Sequence, residues 1–254
     1  MKIASWNVNS IKARKEHVRR YLAEDAPEAL MVQELKGMDF PAPDFKDAGY
    51  HSHAVTQKAY NGVAILSKTP IEIIADRLDG EKEDEQARYL EVETNGVRLI
   101  DIYLPNGNPA PGDKYDYKLR WMERLYTRLK SLIESDTAFI IGGDFNVIPQ
   151  DKDCKTPKDW EGDALFRPET HAAFRALLNL GLTDAFRVHH KSAGHYTFWD
   201  YQRGAWQKDN GIRIDHFLLS PYYADRLQFC RINKAPRGWD SPSDHTPIEI
   251  EITP

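Results

Sequence analysis

Close to the C-terminal end, Asp244 and His245 stand side by side in Ser-Asp-His-Thr-Pro, a carboxylate next to an imidazole. At the mouth of a sheet such a pair can serve one reacting group, the acid setting local charge and the ring moving a proton. Further positions upstream have the same character. Asn7 closes Ser-Trp-Asn, Glu34 follows the apolar run Ala29-Leu30-Met31-Val32 and Gln33, and Asp144 and Asn146 follow Gly142-Gly143. Glu34 is a hard oxygen donor of the kind magnesium takes, and that ion leaves its remaining positions to water and substrate phosphate. The two glycines let the chain turn sharply and admit a close neighbour, after which alternation aims Asp144 and Asn146 one way with Phe145 behind. Asp215, inside the apolar Ile-Asp-His-Phe-Leu-Leu, needs a partner, and His245 is the natural one. That hydrogen bond satisfies the acid and fixes the ring's tautomer. His216 alternates to the opposite face and reads as structural.

The bland readings of these residues are a strand-end carboxylate reaching water for Glu34 and a self-bonded Asx turn for Asp144 and Asn146. Tyr103 in Tyr-Leu-Pro-Asn-Gly fits core packing and phosphate binding equally well, with Asn106 placed to assist the latter. The other histidines sit in no such grouping.

Short apolar strands alternating with amphipathic helices must hold these residues. Strands are expected over Lys2–Val8, Ala29–Val32, Gly62–Leu66 and Thr137–Ile141, then Tyr196–Trp199, Ile212–Leu219 and Pro247–Ile252. Leu90–Val92 and Leu99–Leu104 read as a hairpin turning at Asn95-Gly96. Val18, Tyr21 and Leu22 fall at helical spacing, as do Trp121, Leu125, Leu129 and Leu132 within a long helix from about Lys114 to Ser135. Phe174, Leu177 and Leu178 mark another helix, stopped by Gly181. A polar pair repeatedly ends a buried strand, the edge where α/β sheets gather ligands. The hairpins exclude an all-parallel doubly wound fold, and no stretch reads as a linker, so residues 1–254 are expected to form one domain.

At 41% hydrophobic and 29% charged residues, with formal charge −5, the chain has the composition of a folded protein rather than a basic nucleic-acid coat. A negative balance still suits an enzyme with acidic metal ligands acting on a polyanion. Cys154 and Cys230 are too few for a disulfide scaffold and wrongly spaced for zinc. No apolar run reaches the roughly 18–20 residues of a membrane span, and Asn7 and Asn9 interrupt any signal-like core. The expectation is a soluble cytoplasmic protein with no membrane contact.

In their order along residues 5 to 247, these motifs resemble the exonuclease III family of abasic-site endonucleases: Trp-Asn-Val-Asn, Gln-Glu-Leu-Lys, Tyr-Leu-Pro-Asn-Gly, Gly-Asp-Phe-Asn, Arg-Ile-Asp and Pro-Ser-Asp-His-Thr-Pro. The resemblance implies a four-layered α/β sandwich, two mixed β-sheets packed face to face and flanked by helices. It implies magnesium-dependent hydrolysis of DNA phosphodiesters 5′ to abasic sites, with 3′→5′ exonuclease and 3′-phosphodiesterase activity, manganese being able to substitute. The implied partner is double-stranded DNA with abasic sites or 3′ ends, bound by a monomer. Glu34 then resembles the principal metal ligand, with Asn7 near metal and phosphate and Asp244 a second metal contact. Asp215 orients His245, His245 and Tyr103 bind the scissile phosphate, and Asp144 and Asn146 position or activate water. The base stays open between His245 and Asp144. Phe198 and Trp199, with Ile212 and Ile214, resemble the apolar pocket for an extruded abasic sugar, which costs little stacking to flip. Plain core packing accounts for these four equally well. Lys36, Arg88, Arg213 and Arg237 are expected to contact backbone phosphates.

The chain departs from the family pattern at Leu35, where Thr is usual, at Ser10, at Ile212 and in the turn Asn108-Pro109-Ala110-Pro111-Gly112. These bear on the balance among the three activities. The rival readings are another phosphohydrolase of the same superfamily, acting on a phosphoinositide or small phosphodiester, and a non-catalytic DNA-binding relative.

Overall fold

Successive residues of the first strand enter different cores. In the computed structural model, which describes residues 1–253, β1 (Lys2–Asn7) sends Ile3 between two sheets and Ala4 and Trp6 beneath a helix. The period of two in a pleated strand requires this split. After β1 come β2 (Ala29–Gln33), β3 (His51–Val55), β4 (Val63–Ser67), β5 (Glu72–Ala75) and β6 (Tyr89–Thr94). Next are β7 (Val97–Tyr103), β8 (Ile140–Asp144), β9 (Thr183–Asp184), β10 (Asp215–Leu219), β11 (Leu227–Ile232) and β12 (Ile248–Ile252). They form two six-stranded sheets, ordered β11-β12-β1-β2-β4-β3 and β5-β6-β7-β8-β10-β9. Each sheet is mixed: β1 runs parallel to β2 and β7 parallel to β8, while the other pairings are antiparallel.

Ile3, Met31, Val63 and Ile65 from the first sheet meet Leu90, Val92, Ile140 and Phe217 from the second in the central layer. Outside the first sheet lies α1 (Ile11–Glu24), which buries Val18, Tyr21 and Leu22 on Leu30 and Leu66. After the short α2 (Ala42–Asp47) comes α3 (Asp113–Glu134), which with α4 (Pro168–Asn179) covers the second sheet. Trp121, Leu125, Leu129 and Leu132 of α3 are buried, each contributing about 2 kcal/mol by removal from water. Two short helices, α5 (Ala185–His189) and α6 (Pro221–Ala224), complete the chain. The expected four layers are present.

Asn95 and Gly96 make the turn between β6 and β7 with φ of 52° and 71°. Both residues of the expected two-residue hairpin turn are thus left-handed. Gly142 and Gly143 do something other than turn the chain. Strand β8 runs through them to Asp144, three residues beyond its expected end. A Cβ on Gly142 would lie 2.5 Å from the Phe217 ring, and one on Gly143 2.0 Å from the Ile102 carbonyl oxygen. The glycines are needed for close approach within the sandwich. Tyr196–Trp199 is not a strand; Phe198 alone bridges Ile212 and His245. The last predicted inner strand begins at Asp215 rather than Ile212, because Arg213 turns into a buried ionic cluster. Both cysteines are buried and free. Among the described residues no helix is long and apolar enough to cross a membrane.

Candidate active site

Strand register assembles the centre of the site. Tyr103 pairs with Asp144 across the parallel β7–β8 ladder, and Asp144 pairs with Asp215 across the antiparallel β8–β10 ladder. Three adjacent strands thus present Tyr103, Asp144 and Asp215 in one row. From the facing sheet, Asn7 ends β1 and Glu34 follows β2. Glu34 adopts φ of 56° as the chain leaves the strand.

Asp215 is fully buried and its Oδ2 lies 2.8 Å from His245 Nδ1. Thr197 Oγ1 accepts the backbone N–H groups of Ile214 and Asp215, each at 3.1 Å, which fixes where the acid starts its strand. With Nδ1 donating to Asp215, Nε2 is the free ring nitrogen, and it lies 3.8 Å from Asp144 Oδ2. Asp144 Oδ2 accepts from Asn7 Nδ2 at 2.9 Å and its Oδ1 accepts the Asn146 backbone N–H at 2.9 Å. Asn146 donates its side-chain amide to Leu104 O at 2.9 Å and accepts from Asn106 Nδ2 at 3.2 Å. The Tyr103 hydroxyl donates to Glu34 Oε1, while Lys36 Nζ pairs with Glu34 Oε2 at 2.9 Å.

The charges respond to this crowding. Desolvation pushes the Asp144 carboxyl up to about 7, against the pull of His245. Burial works against a charged imidazole, but Asp215 and Asp144 outweigh it and raise His245 to about 10. Burial also raises Glu34, yet Lys36 and the Tyr103 hydroxyl bring it below the usual carboxylate range.

The residues expected around a cation are joined through Asn9. Its backbone N–H donates to Asn7 Oδ1 at 3.0 Å and its Nδ2 to Asp244 Oδ1 at 2.9 Å, while Lys36 Nζ donates to Asn9 Oδ1. Separately, one ligand atom each of Asp144, Asp215 and His245 lies within 4.8 Å of the others. Asp215 and His245 already share a hydrogen bond, so this trio fits an acid–imidazole dyad better than a closed metal cage. Asp215 Oδ1 is buried with no hydrogen-bond partner. The set as a whole is rich in carboxylate oxygen, the donor chemistry of magnesium and manganese.

Several expected contacts are not available to a ligand. Arg213 is completely buried, bonding Asp153 Oδ1 at 2.6 Å, Asp184 Oδ2 at 2.9 Å and His216 Nδ1 at 2.9 Å. It braces the core and reaches no phosphate. Arg237 is likewise buried and donates to Trp199 O at 3.0 Å. Trp199 lies under Trp206 and Tyr196, with Nε1 bonded to Asp209, so it lines no pocket. Ile214 is buried against Cys154, Ile148 and Leu165, whereas Ile212, packed in the same cluster, also lines an open cavity beside Phe198 and Trp160. Phe198 lines that same cavity, half-buried with its ring 5.0 Å from that of His245. Arg88 stacks over Tyr103 at 4.8 Å and donates to its carbonyl at 3.0 Å. His216 faces away as expected, packed on Phe145 and Phe174.

Sequence reasoning passed over Asn9, Thr197 and Lys118. Lys118 donates to the carbonyls of Asn146 and Asn106 from inside α3. A lysine on an otherwise apolar helical face was the available signal for it.

Residues 4–245 match the Endonuclease/Exonuclease/phosphatase family. An exodeoxyribonuclease of Bacillus subtilis is 32% identical over 259 residues, covering 99% of each chain. A solved AP endonuclease from Archaeoglobus fulgidus superposes with a TM-score of 0.95 at 36% identity, covering 99% of each chain. A 3′ phosphatase from Neisseria, solved with a product DNA hairpin, gives a TM-score of 0.97 at 35% identity over 100% of this chain and 99% of that one. This chain belongs to the endonuclease/exonuclease/phosphatase family, among its exonuclease III-type nucleases.

Proposed function

We propose that the chain is a magnesium-dependent DNA-repair nuclease that hydrolyses phosphodiesters 5′ to abasic sites and processes 3′ ends. The observation that carries this reading is the row Tyr103–Asp144–Asp215 closed by His245, with Glu34 facing it. A phosphate seated there meets the imidazolium of His245 and the Tyr103 hydroxyl, two donors for the charge that develops on its oxygens. Asp144 takes the proton of the attacking water. A carboxyl pushed up to about 7 is a competent base near neutral pH, whereas an imidazole raised to about 10 keeps its proton. Asn146 holds Asp144 through its backbone N–H, and Asn7 holds it from the other sheet. Glu34, with Asn7 and Asp244 nearby, would hold the magnesium ion, which supplies charge neutralisation at the phosphate. No Ser or Cys nucleophile is needed, because the water does the attack.

Similarity to the Neisseria enzyme solved with DNA and to the Archaeoglobus AP endonuclease supports DNA as the substrate. One core between the sheets draws from strands across the chain, which supports residues 1–254 acting as a single domain.

The deciding experiment is nicking of a duplex carrying a tetrahydrofuran abasic analogue. Cleavage with magnesium and none with EDTA is expected. An intact duplex alongside phosphate release from a phosphoinositide would replace this reading with its rival. Asp144→Ala and His245→Ala are expected to retain DNA binding and to lose cleavage, which separates a nuclease from a DNA-binding relative.

A further inference from the structure

One residue breaks the apolar face of α3. Lys118 is completely buried, and the inward positions around it are Tyr115, Trp121 and Met122. A buried amine is costly unless its donors are used. Lys118 uses them on two backbone carbonyls, Asn146 O at 2.6 Å and Asn106 O at 3.1 Å.

Those carbonyls belong to separate loops, one leaving β8 and the other leaving β7. The loops carry side chains that touch each other, Asn106 Nδ2 donating to Asn146 Oδ1 at 3.2 Å. Asn146 also sits in the left-handed region, with φ of 48°, and its N–H holds Asp144. Movement of this one residue therefore displaces both an amide and a carboxylate of the site. The lysine stem runs against Gly107, where a Cβ would lie 2.8 Å from Lys118 Cδ. The loop between the two carbonyl-bearing strands is thus shaped around this side chain.

We propose that Lys118 is a positioning residue of the hydrolytic site, its amine fixing Asn106 and Asn146 through their backbone carbonyls. The inference rests on the nuclease reading given above and extends it to a residue outside the contact surface. A neutral side chain of similar length leaves both carbonyls without that donor and frees the two loops to shift. Misplacement of reacting groups by about 1 Å can cost roughly 100-fold in rate.

Steady-state kinetics on the abasic duplex test this with Lys118→Met, Lys118→Ala and Lys118→Arg. Lys118→Met is expected to lower kcat by about 10- to 100-fold with KM changed less than about twofold, the split of a group acting on geometry. Lys118→Ala is expected to regain part of its kcat when ethylammonium is added and none with ethanol. Lys118→Arg, which keeps the donors, should fall between wild type and Met. Wild-type kcat and KM in Lys118→Met, whatever its melting temperature, would overturn the inference. If Lys118→Met does not fold, a folded Lys118→Ala that is indifferent to ethylammonium overturns it equally. A wild-type enzyme that fails to nick sinks the nuclease reading and this inference together, whereas a nicking wild type with an unaffected Met variant sinks this inference alone.

Discussion

Asp215 engages His245 through Nδ1 and so dictates which ring nitrogen is left to face Asp144. Replacing the acid by an amide removes the charge that holds the imidazolium and permits the opposite tautomer. Asp215→Asn is therefore expected to lower kcat by roughly 100-fold or more while the fold, read by circular dichroism, is retained. The assignment of Asp144 as base gives a sign for the pH profile. The rate should rise with pH as the carboxyl loses its proton in the region of about 7, and magnesium charge shifts this limb downward without reversing it. A kcat that stays flat through this region and rises only as pH approaches about 10 would return the role to His245. At this scale the sequence showed most of what matters, because carboxylates, amides and an imidazole at strand ends have few structural uses. It misled where the same residue types brace the core. Arg213 looks like a phosphate contact beside Asp215, but two buried carboxylates claim it.

Among the elements, β8 carries the tightest constraint. Its Gly143 has φ of 142° and no room for a Cβ beside Ile102 O. Gly143→Ala is expected to cost at least about 3 kcal/mol in urea unfolding, since both the conformation and the contact oppose a methyl group. A midpoint unchanged from wild type would show that the sheet can open there at little cost. The same pair of glycines explains why the end of β8 was placed early. Gly-Gly-Asp has the composition of a turn, and only the packing of Phe217 and Met31, which leaves no room for a Cβ at Gly142, shows why a strand takes glycine there. Strands β3, β5 and β11 escaped notice for a related reason. Each is wholly or largely half-buried to exposed, so its apolar alternation is weak. Helix α3 and the β6–β7 hairpin were legible because a long apolar stripe and an Asn-Gly turn are local signals.

For the whole molecule, acid stability and salt dependence follow from where its charges lie. His216 is completely buried, and desolvation with the neighbouring Arg213 lowers it to about 4. Its folded form is depressed below the ordinary 6.5, so the unfolded chain binds the proton more readily between these values. The stability it contributes is complete above about 6.5 and is lost as pH falls towards about 4, on the order of 3 kcal/mol. Urea midpoints at both ends of that window check this, and His216→Gln should remove much of the difference. The net charge of −5 places DNA binding on local cations rather than on overall attraction. Affinity for an abasic duplex should still fall with added salt, with a shallow slope set by few phosphate contacts.

The order in which the chain leaves a ribosome acquires a meaning from the first sheet. Strand β1 pairs with β12, and the amino terminus donates to Ile252 O at 2.6 Å. Until residues 248–252 emerge, β1 waits with one edge open, and His245 has not yet met Asp215. A chain that has not yet added β12 to the sheet therefore holds the carboxylates of the site without their imidazole.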